Sequence, residues 1–196
     1  MALDPHVGTV RHMKGIKRLA SMGVAVLIAA SCLSGQGAGA ASKTRTQVPL
    51  AFFEGTSSSK GTITTLFVST EAFTARFEGT YRDHDLKLDE RFTFPDGTAL
   101  QRWDLFAHRN GSISGTVATE IEDGVMTASR PVSGRYDRDV LVLDYDGYAP
   151  NGSKTLFHFH HVMHRQQNGT MTNHVTVSKY YLPLASSNVT FYKPGR

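Results

Sequence analysis

The chain has 196 residues, of which 40% are hydrophobic and 19% charged, so it is long and apolar enough for one packed domain, which excludes a disordered or low-complexity chain. Its single cysteine excludes an internal disulfide and a zinc site built from cysteines. The formal net charge of +4 falls to about +1 once residues 1–40 are set aside, and because no basic stripe remains, no nucleic-acid partner is expected.

The first 40 residues have the pattern of an export signal. Residues 14–18 carry three basic side chains, residues 22–30 form a short apolar run, and residues 38–40 read Ala-Gly-Ala. A basic region, an apolar run and an A-x-A cleavage site in this order are typical of a secretory signal peptide. We therefore predict a cleaved signal peptide over residues 1–40 and one mature domain over residues 41–196, secreted to the periplasm or cell envelope.

Cys32 leaves a second route of processing open. The residues Ala29-Ala30-Ser31-Cys32 have the small-small-Cys form of a bacterial lipoprotein signal, although Ala stands where such signals favour Leu. We favour simple cleavage after Ala40, and a membrane partner is expected only if Cys32 is lipidated. A complete signal begins at Met13, so the residues before it are interpreted as an over-long start.

Beyond the signal the hydrophobic pattern has period two, which predicts strands. Turn dipeptides such as Asp96-Gly97, Asn110-Gly111 and Asn168-Gly169 separate the runs. About ten sequential strands hide their edges most directly by closing, so we predict an all-β, single antiparallel up-and-down barrel, with a sandwich as the alternative. The candidate strands are 61–68, 72–81, 84–94, 98–108, 111–121, 125–134, 139–146, 153–165, 170–181 and 187–193.

One hairpin, residues 86–105, contains the first candidate site. A three-residue loop at Pro95-Asp96-Gly97 would place Glu90 opposite Arg102 across the two strands. Glu90 also shares the apolar face of its strand. The pair is therefore interpreted either as an anchor for a polar ligand head in the barrel or as a buried structural ion pair, of which the second is favoured.

The residues of this hairpin resemble a known family. The pattern L-x-L-x-E-x-F-x-F-x-D-G-x-x-x-x-R-W is similar to the bacterial domain-of-unknown-function family three-eight-three-three (DUF3833), whose members are often described as envelope lipoproteins. The resemblance implies an envelope protein with a calycin-like or lipocalin-like barrel and no established activity. The positions it carries over are Gly55, Glu90, Phe92, Asp96, Gly97, Arg102, Trp103, Asn173 and Lys179.

A histidine group follows on the eighth candidate strand. His158 and His160 alternate and so share a face, while His161 points the other way. Two-residue loops on both sides of this strand would place Leu143, Tyr145, Val177 and Lys179 beside His158 and His160, and His161 diagonal to His174. Because neither face then offers a third ligand, we predict no metal and keep His158 and His160 as weak candidates.

No catalytic motif is found, so we predict a non-enzymatic protein without a cofactor or catalytic residue. The expected function is binding of a lipid or small hydrophobic ligand in the barrel. The expected ligand-binding residues are Glu90, Arg102, Trp103, Asn173 and Lys179. Two alternatives stay open, a metal-assisted hydrolase using His158 and His160 and a structural or assembly protein of the envelope. The sequence leaves the oligomeric state open.

Overall fold

The computed structural model describes residues 47–66, 69–150, 152 and 154–195. The predicted signal peptide, the start at Met13, cleavage after Ala40 and lipidation of Cys32 lie outside these residues. Within the described part of the chain, no helix has both the length and the apolar character that crossing a bilayer requires.

Ten antiparallel strands form one closed barrel, as the alternating pattern predicts. Each strand pairs with its neighbours in the chain, and the pairing of the first strand with the last removes the two free edges of the sheet. The strands are β1 Gly55–Thr65, β2 Ser69–Arg82, β3 Asp85–Phe94, β4 Gly97–Ala107, β5 Ser112–Thr119, β6 Arg130–Asp137, β7 Val140–Tyr148, β8 Leu156–Arg165, β9 Met171–Lys179 and β10 Leu182–Tyr192.

The strands correspond one for one to those predicted, with shifted ends. β1 begins six residues before its predicted start, and the connection from β5 to β6 is long and contains a short 3-10 turn at Glu122–Gly124. The hairpin at Tyr180 and Tyr181 has a positive φ at both residues, a conformation that ordinarily favours glycine or asparagine. No turn dipeptide marks this hairpin, so the sequence pattern merges it into a strand.

One end of the barrel is closed by the segment before β1. Residues Pro49–Phe53 form a 3-10 turn, here called the plug, and all five are buried. The Phe53 ring lies 5.8 Å from that of Phe77 and 5.4 Å from that of Phe191. Gly79 on β2 lets the plug approach, because a Cβ at this position would meet the carbonyl oxygen of Phe53. Aromatic packing therefore fills this half of the barrel.

The other end is less filled and carries the exposed apolar tip of the hairpin between β9 and β10. Tyr181 is fully exposed, and Tyr180 and Leu182 are largely exposed. Along each strand, every second side chain points into the barrel, and the side chains between them point outward. The barrel thus has a packed half at the plug and an open half opposite it.

Candidate functional site

The open half of the barrel holds a cavity of about 90 Å³. Its mouth is formed by Ile63, Phe73, Phe94 and Pro150, all partly exposed. The Phe92 and Phe94 rings stack at 5.6 Å and an interplanar angle of 10°, and Phe73 lies against both. The wall is therefore aromatic, continued by further apolar side chains from β8, β9 and β10: Phe159, Val175, Val177, Val189 and Phe191.

Polar side chains form the floor of this cavity. Trp103 donates a hydrogen bond from Nε1 to Oε2 of Glu90 at 3.0 Å. Gln101 donates from Nε2 to Oγ1 of Thr119 at 3.0 Å. Tyr145 stands beside them, its ring stacked on that of Phe159 at 4.9 Å. A carboxyl group is thus held at the base of an apolar cavity by the indole of the only tryptophan in the chain.

His161 and Asn173 complete the floor from β8 and β9. Asn173 donates from Nδ2 to Nδ1 of His161 at 3.1 Å, which leaves the proton of the neutral imidazole on Nε2. Within the described residues, His161 Nε2, Asn173 Oδ1 and the hydroxyl of Ser187 are buried without a hydrogen-bond partner. Buried polar atoms are ordinarily paired, so three unpaired ones around one cavity indicate a place for a polar ligand group.

Burial sets the protonation of this floor. Glu90 lies on the inner face of β3, and loss of hydration raises its pKa to about 8, opposed by the hydrogen bond from Trp103. Burial lowers the pKa of His161 to about 4; His160 lowers it further, while Asp144 raises it. The pKa of Tyr145 is raised by burial and by Glu90. At neutral pH the floor therefore carries a mostly protonated carboxyl and a neutral imidazole.

The predicted pairing of Glu90 with Arg102 is wrong. The connection between β3 and β4 has two residues, so Phe94 pairs with Gly97, and Glu90 lies opposite Gln101. A one-residue change of register turns a side chain to the other face of the sheet. Arg102 accordingly lies on the outer surface with its side chain 57% exposed, and its Nε is 3.3 Å from Oδ1 of Asp89.

The predicted surroundings of His158 and His160 are also wrong. β7 ends at Tyr148 and β8 begins at Leu156, while β8 ends at Arg165 and β9 begins at Met171, so both connections are longer than the two residues assumed. Both histidines face outward beside Asp144 and Asp146 of β7. His160 Nδ1 lies 2.6 Å from Asp144 Oδ1, and His158 Nδ1 lies 3.0 Å from Asp146 Oδ1.

The predicted placement of His161 diagonal to His174 on one face is wrong for the same reason. His161 and His174 do not share a face, because His161 points inward and His174 is exposed beside Asn188. Among the residues that the structure describes, no group of three or more His, Cys, Asp or Glu is arranged to bind a metal ion.

The remaining predicted ligand-binding residues are dispersed. Glu90 and Asn173 line the cavity, and Trp103 lies beneath it, where with His161 it borders a void of about 30 Å³ on the plug side. Lys179 stands at the end of β9, with Nζ 5.8 Å from the ring centre of Phe157 and 5.4 Å from that of Tyr180. The structure therefore brings Glu90, Trp103 and Asn173 together and leaves Arg102 and Lys179 outside the floor.

Sequence reasoning missed His161, Gln101 and Ser187 as parts of the floor. The alternation of side chains along β8 contained a usable signal for His161. Every second residue of this strand shares the inner face, namely Phe157, Phe159, His161 and Met163. Gln101 follows in the same way from Trp103 on β4. Ser187 follows as well, since the buried Val189 and Phe191 lie two and four residues after it on β10 and share its face.

Comparison with known proteins agrees with this architecture. The family described as Protein of unknown function (DUF3833) matches residues 26–193. The crystal structure of Rv2717c from M. tuberculosis is similar, with a TM-score of 0.52 over 74% of this chain and 94% of that chain. Because the two share 13% sequence identity, the similarity concerns the fold alone. No curated protein matches the chain.

Proposed function

Because the chain belongs to the DUF3833 family, whose function is unknown, and folds as a barrel packed at one end only, we propose that it binds a small hydrophobic molecule in the open half. The observation that carries this proposal is an apolar cavity with unpaired polar atoms at its floor. Ligand sites commonly combine an apolar wall with a few convergent polar groups. The role is that of a binding protein, without a catalytic step.

The size of the cavity favours a compact ligand over a long-chain lipid. Its volume is about 90 Å³, whereas an apolar cavity of roughly 150 Å³ accommodates benzene and drug-sized ligands occupy about 300 Å³ or more. The partly exposed mouth gives a bound molecule a route in and lets its tail extend outward. The cavity is therefore smaller than one that holds benzene, and a short branched chain with one polar end, or a small ring that lies partly in the mouth, fits it best.

Fluorescence of Trp103 provides a direct test, because this residue is the only tryptophan and contacts Glu90 at the floor. Titration with cyclohexyl and benzyl compounds should change its emission with saturation. Ile63→Phe at the mouth should weaken binding by about tenfold or more, while Thr62→Phe, one residue away on the outer face, should bind as the wild type does. Absence of saturable binding by any of these compounds would refute the proposal.

The proposed location is the bacterial cell envelope, supported by the signal-peptide pattern of residues 1–40. Expression in a Gram-negative host followed by fractionation and intact-mass measurement tests it. Cleavage after Ala40 should give a periplasmic chain of the corresponding mass, unchanged by Cys32→Ser. A diacylglyceryl mass that disappears in Cys32→Ser would establish the lipid-anchored alternative, and an uncleaved cytoplasmic chain would contradict both routes.

A further inference from the structure

The charges that line the cavity are unbalanced. Among the lining residues that the structure describes, Glu90 is the one acid, and none is Lys or Arg. The ion pairs of the described chain do not include Glu90. A carboxyl buried without a cationic partner costs free energy whenever it ionises, and a ligand with a positive charge would remove this cost.

Two unpaired groups near Glu90 favour a ligand that donates, whereas the third, the N–H of His161 Nε2, is itself a donor. Asn173 Oδ1 is a buried acceptor without a partner in the described residues, and the Ser187 hydroxyl offers lone pairs from β10. The Asn173 amide already donates to His161. An ammonium group has three N–H donors and no acceptor, so a carboxylate, an amide oxygen and a hydroxyl would complement it.

The aromatic wall supports the same chemistry. The rings of Phe73, Phe92 and Phe94 cluster with centroids 5.6–5.8 Å apart, and the stacked rings of Tyr145 and Phe159 line the cavity as well. Aromatic faces attract cations, most strongly where water is excluded. The same rings accommodate the hydrocarbon part of a ligand.

We propose that the ligand of the barrel is a small aliphatic or aromatic amine, bound as its ammonium ion with the N–H groups toward Glu90, Asn173 and Ser187 and its hydrocarbon part against the aromatic wall. This inference rests on the proposed binding function and specifies its ligand class. A carboxylate ligand would instead meet Glu90 without any cation in the lining. A neutral alcohol could hydrogen-bond to Glu90 but would supply no positive charge.

Binding of an amine requires the loss of one proton. Free amines with a pKa near that of lysine, about 10.4, are ammonium ions at pH 7, whereas the Glu90 carboxyl, with its pKa of about 8, is mostly protonated. The ion pair forms when the Glu90 O–H bond breaks, its electron pair stays on the carboxylate, and the proton leaves to solvent. Of the other lining residues, only Tyr145 on β7 and His161 on β8 are titratable, and both are neutral at this pH.

Calorimetry with matched probes tests the inference. Cyclohexylamine, cyclohexanol and cyclohexanecarboxylate share one ring and differ in the polar group. At pH 9, where most of the Glu90 carboxyl and most of the amine are ionised, we expect the amine to bind about tenfold or more tightly than the alcohol, the ratio of a charge-assisted to a neutral hydrogen bond. At pH 7 loss of the Glu90 proton offsets about tenfold of this preference. Titrations at pH 7 in buffers of different ionisation enthalpy should show release of close to one proton per amine bound and none for the alcohol.

Variants separate the two proposals. Glu90→Gln should abolish the preference for the amine and the proton release, while Asp89→Asn removes the neighbouring carboxyl on the outer face and should preserve both. If Glu90→Gln does not fold, the three probes on the wild-type chain decide the question alone. Equal binding of amine and alcohol at pH 9, or tighter binding of the carboxylate, overturns the inference and leaves a hydrophobic binding function. Failure of all three probes to bind overturns both.

Discussion

Replacement of Glu90 by Gln should change how stability depends on pH. The folded pKa of about 8 lies well above the ordinary value of 4.5, so between these pH values the unfolded chain is ionised at this position while the folded chain keeps its proton. Stability from Glu90 is therefore complete below about pH 4.5 and is lost as pH rises towards 8. Each pH unit of that window costs about 1.4 kcal/mol. Gln retains an acceptor for Trp103 but does not ionise.

The lowered pKa of His161 makes stability depend on pH in the opposite direction to Glu90, and the two pH ranges overlap. Its pKa falls from 6.5 to about 4, so stability from this residue is present above pH 6.5 and is lost as pH decreases to 4. In the wild type the two contributions should nearly cancel between pH 4.5 and 6.5. Of these two residues, only Glu90 titrates above pH 6.5, and its contribution to stability should fall by about 2 kcal/mol as the pH reaches 8.

Urea unfolding of the wild type and Glu90→Gln at several pH values measures this effect. The stability of the wild type relative to the variant should fall by about 3 kcal/mol between pH 5 and 7.5. Asp89→Asn is the matched control, because its carboxyl lies on the outer surface and pairs with Arg102 there, and its profile should run parallel to that of the wild type. A constant difference between wild type and Glu90→Gln across this range would refute the buried, unpaired state of Glu90.

Three further substitutions test other parts of the structure. As the pH falls from 6.5 to 4, His161→Gln should gain about 3 kcal/mol of stability relative to the wild type by urea unfolding, because it lacks the His161 contribution that decreases over this range, and a profile parallel to that of the wild type would place this imidazole in solvent. Gly79→Ala should lower stability by about 1–3 kcal/mol because its methyl group would displace the plug, and an unchanged midpoint would contradict that contact. Tyr181→Gly should raise stability by about 0.5–1 kcal/mol, since a left-handed tyrosine is strained, and thermal unfolding should show a higher midpoint unless this turn is formed differently.

The alternation of apolar and polar residues predicted the strands well, because successive residues of a barrel strand point alternately to the core and to the outside. Phe92, Trp103 and Tyr145 each follow the alternation, and inward and outward positions differ sharply in polarity along β3, β4 and β7. The hairpin at Tyr180 and Tyr181 escaped the prediction, since two tyrosines with positive φ carry none of the glycine or asparagine signals of a tight turn.

The sequence by itself determined the export signal pattern, the ten-strand count and the apolar face that carries Glu90, because each depends on neighbours in the chain. Loop length and register decided the rest. Two residues instead of three at the β3–β4 turn place Arg102 outside, and longer connections around β8 place His158 and His160 beside Asp146 and Asp144 instead of Leu143 and Tyr145. The floor of the cavity joins Glu90 to His161 and to residues of β9 and β10, and only closure of the sheet brings such distant strands around one space.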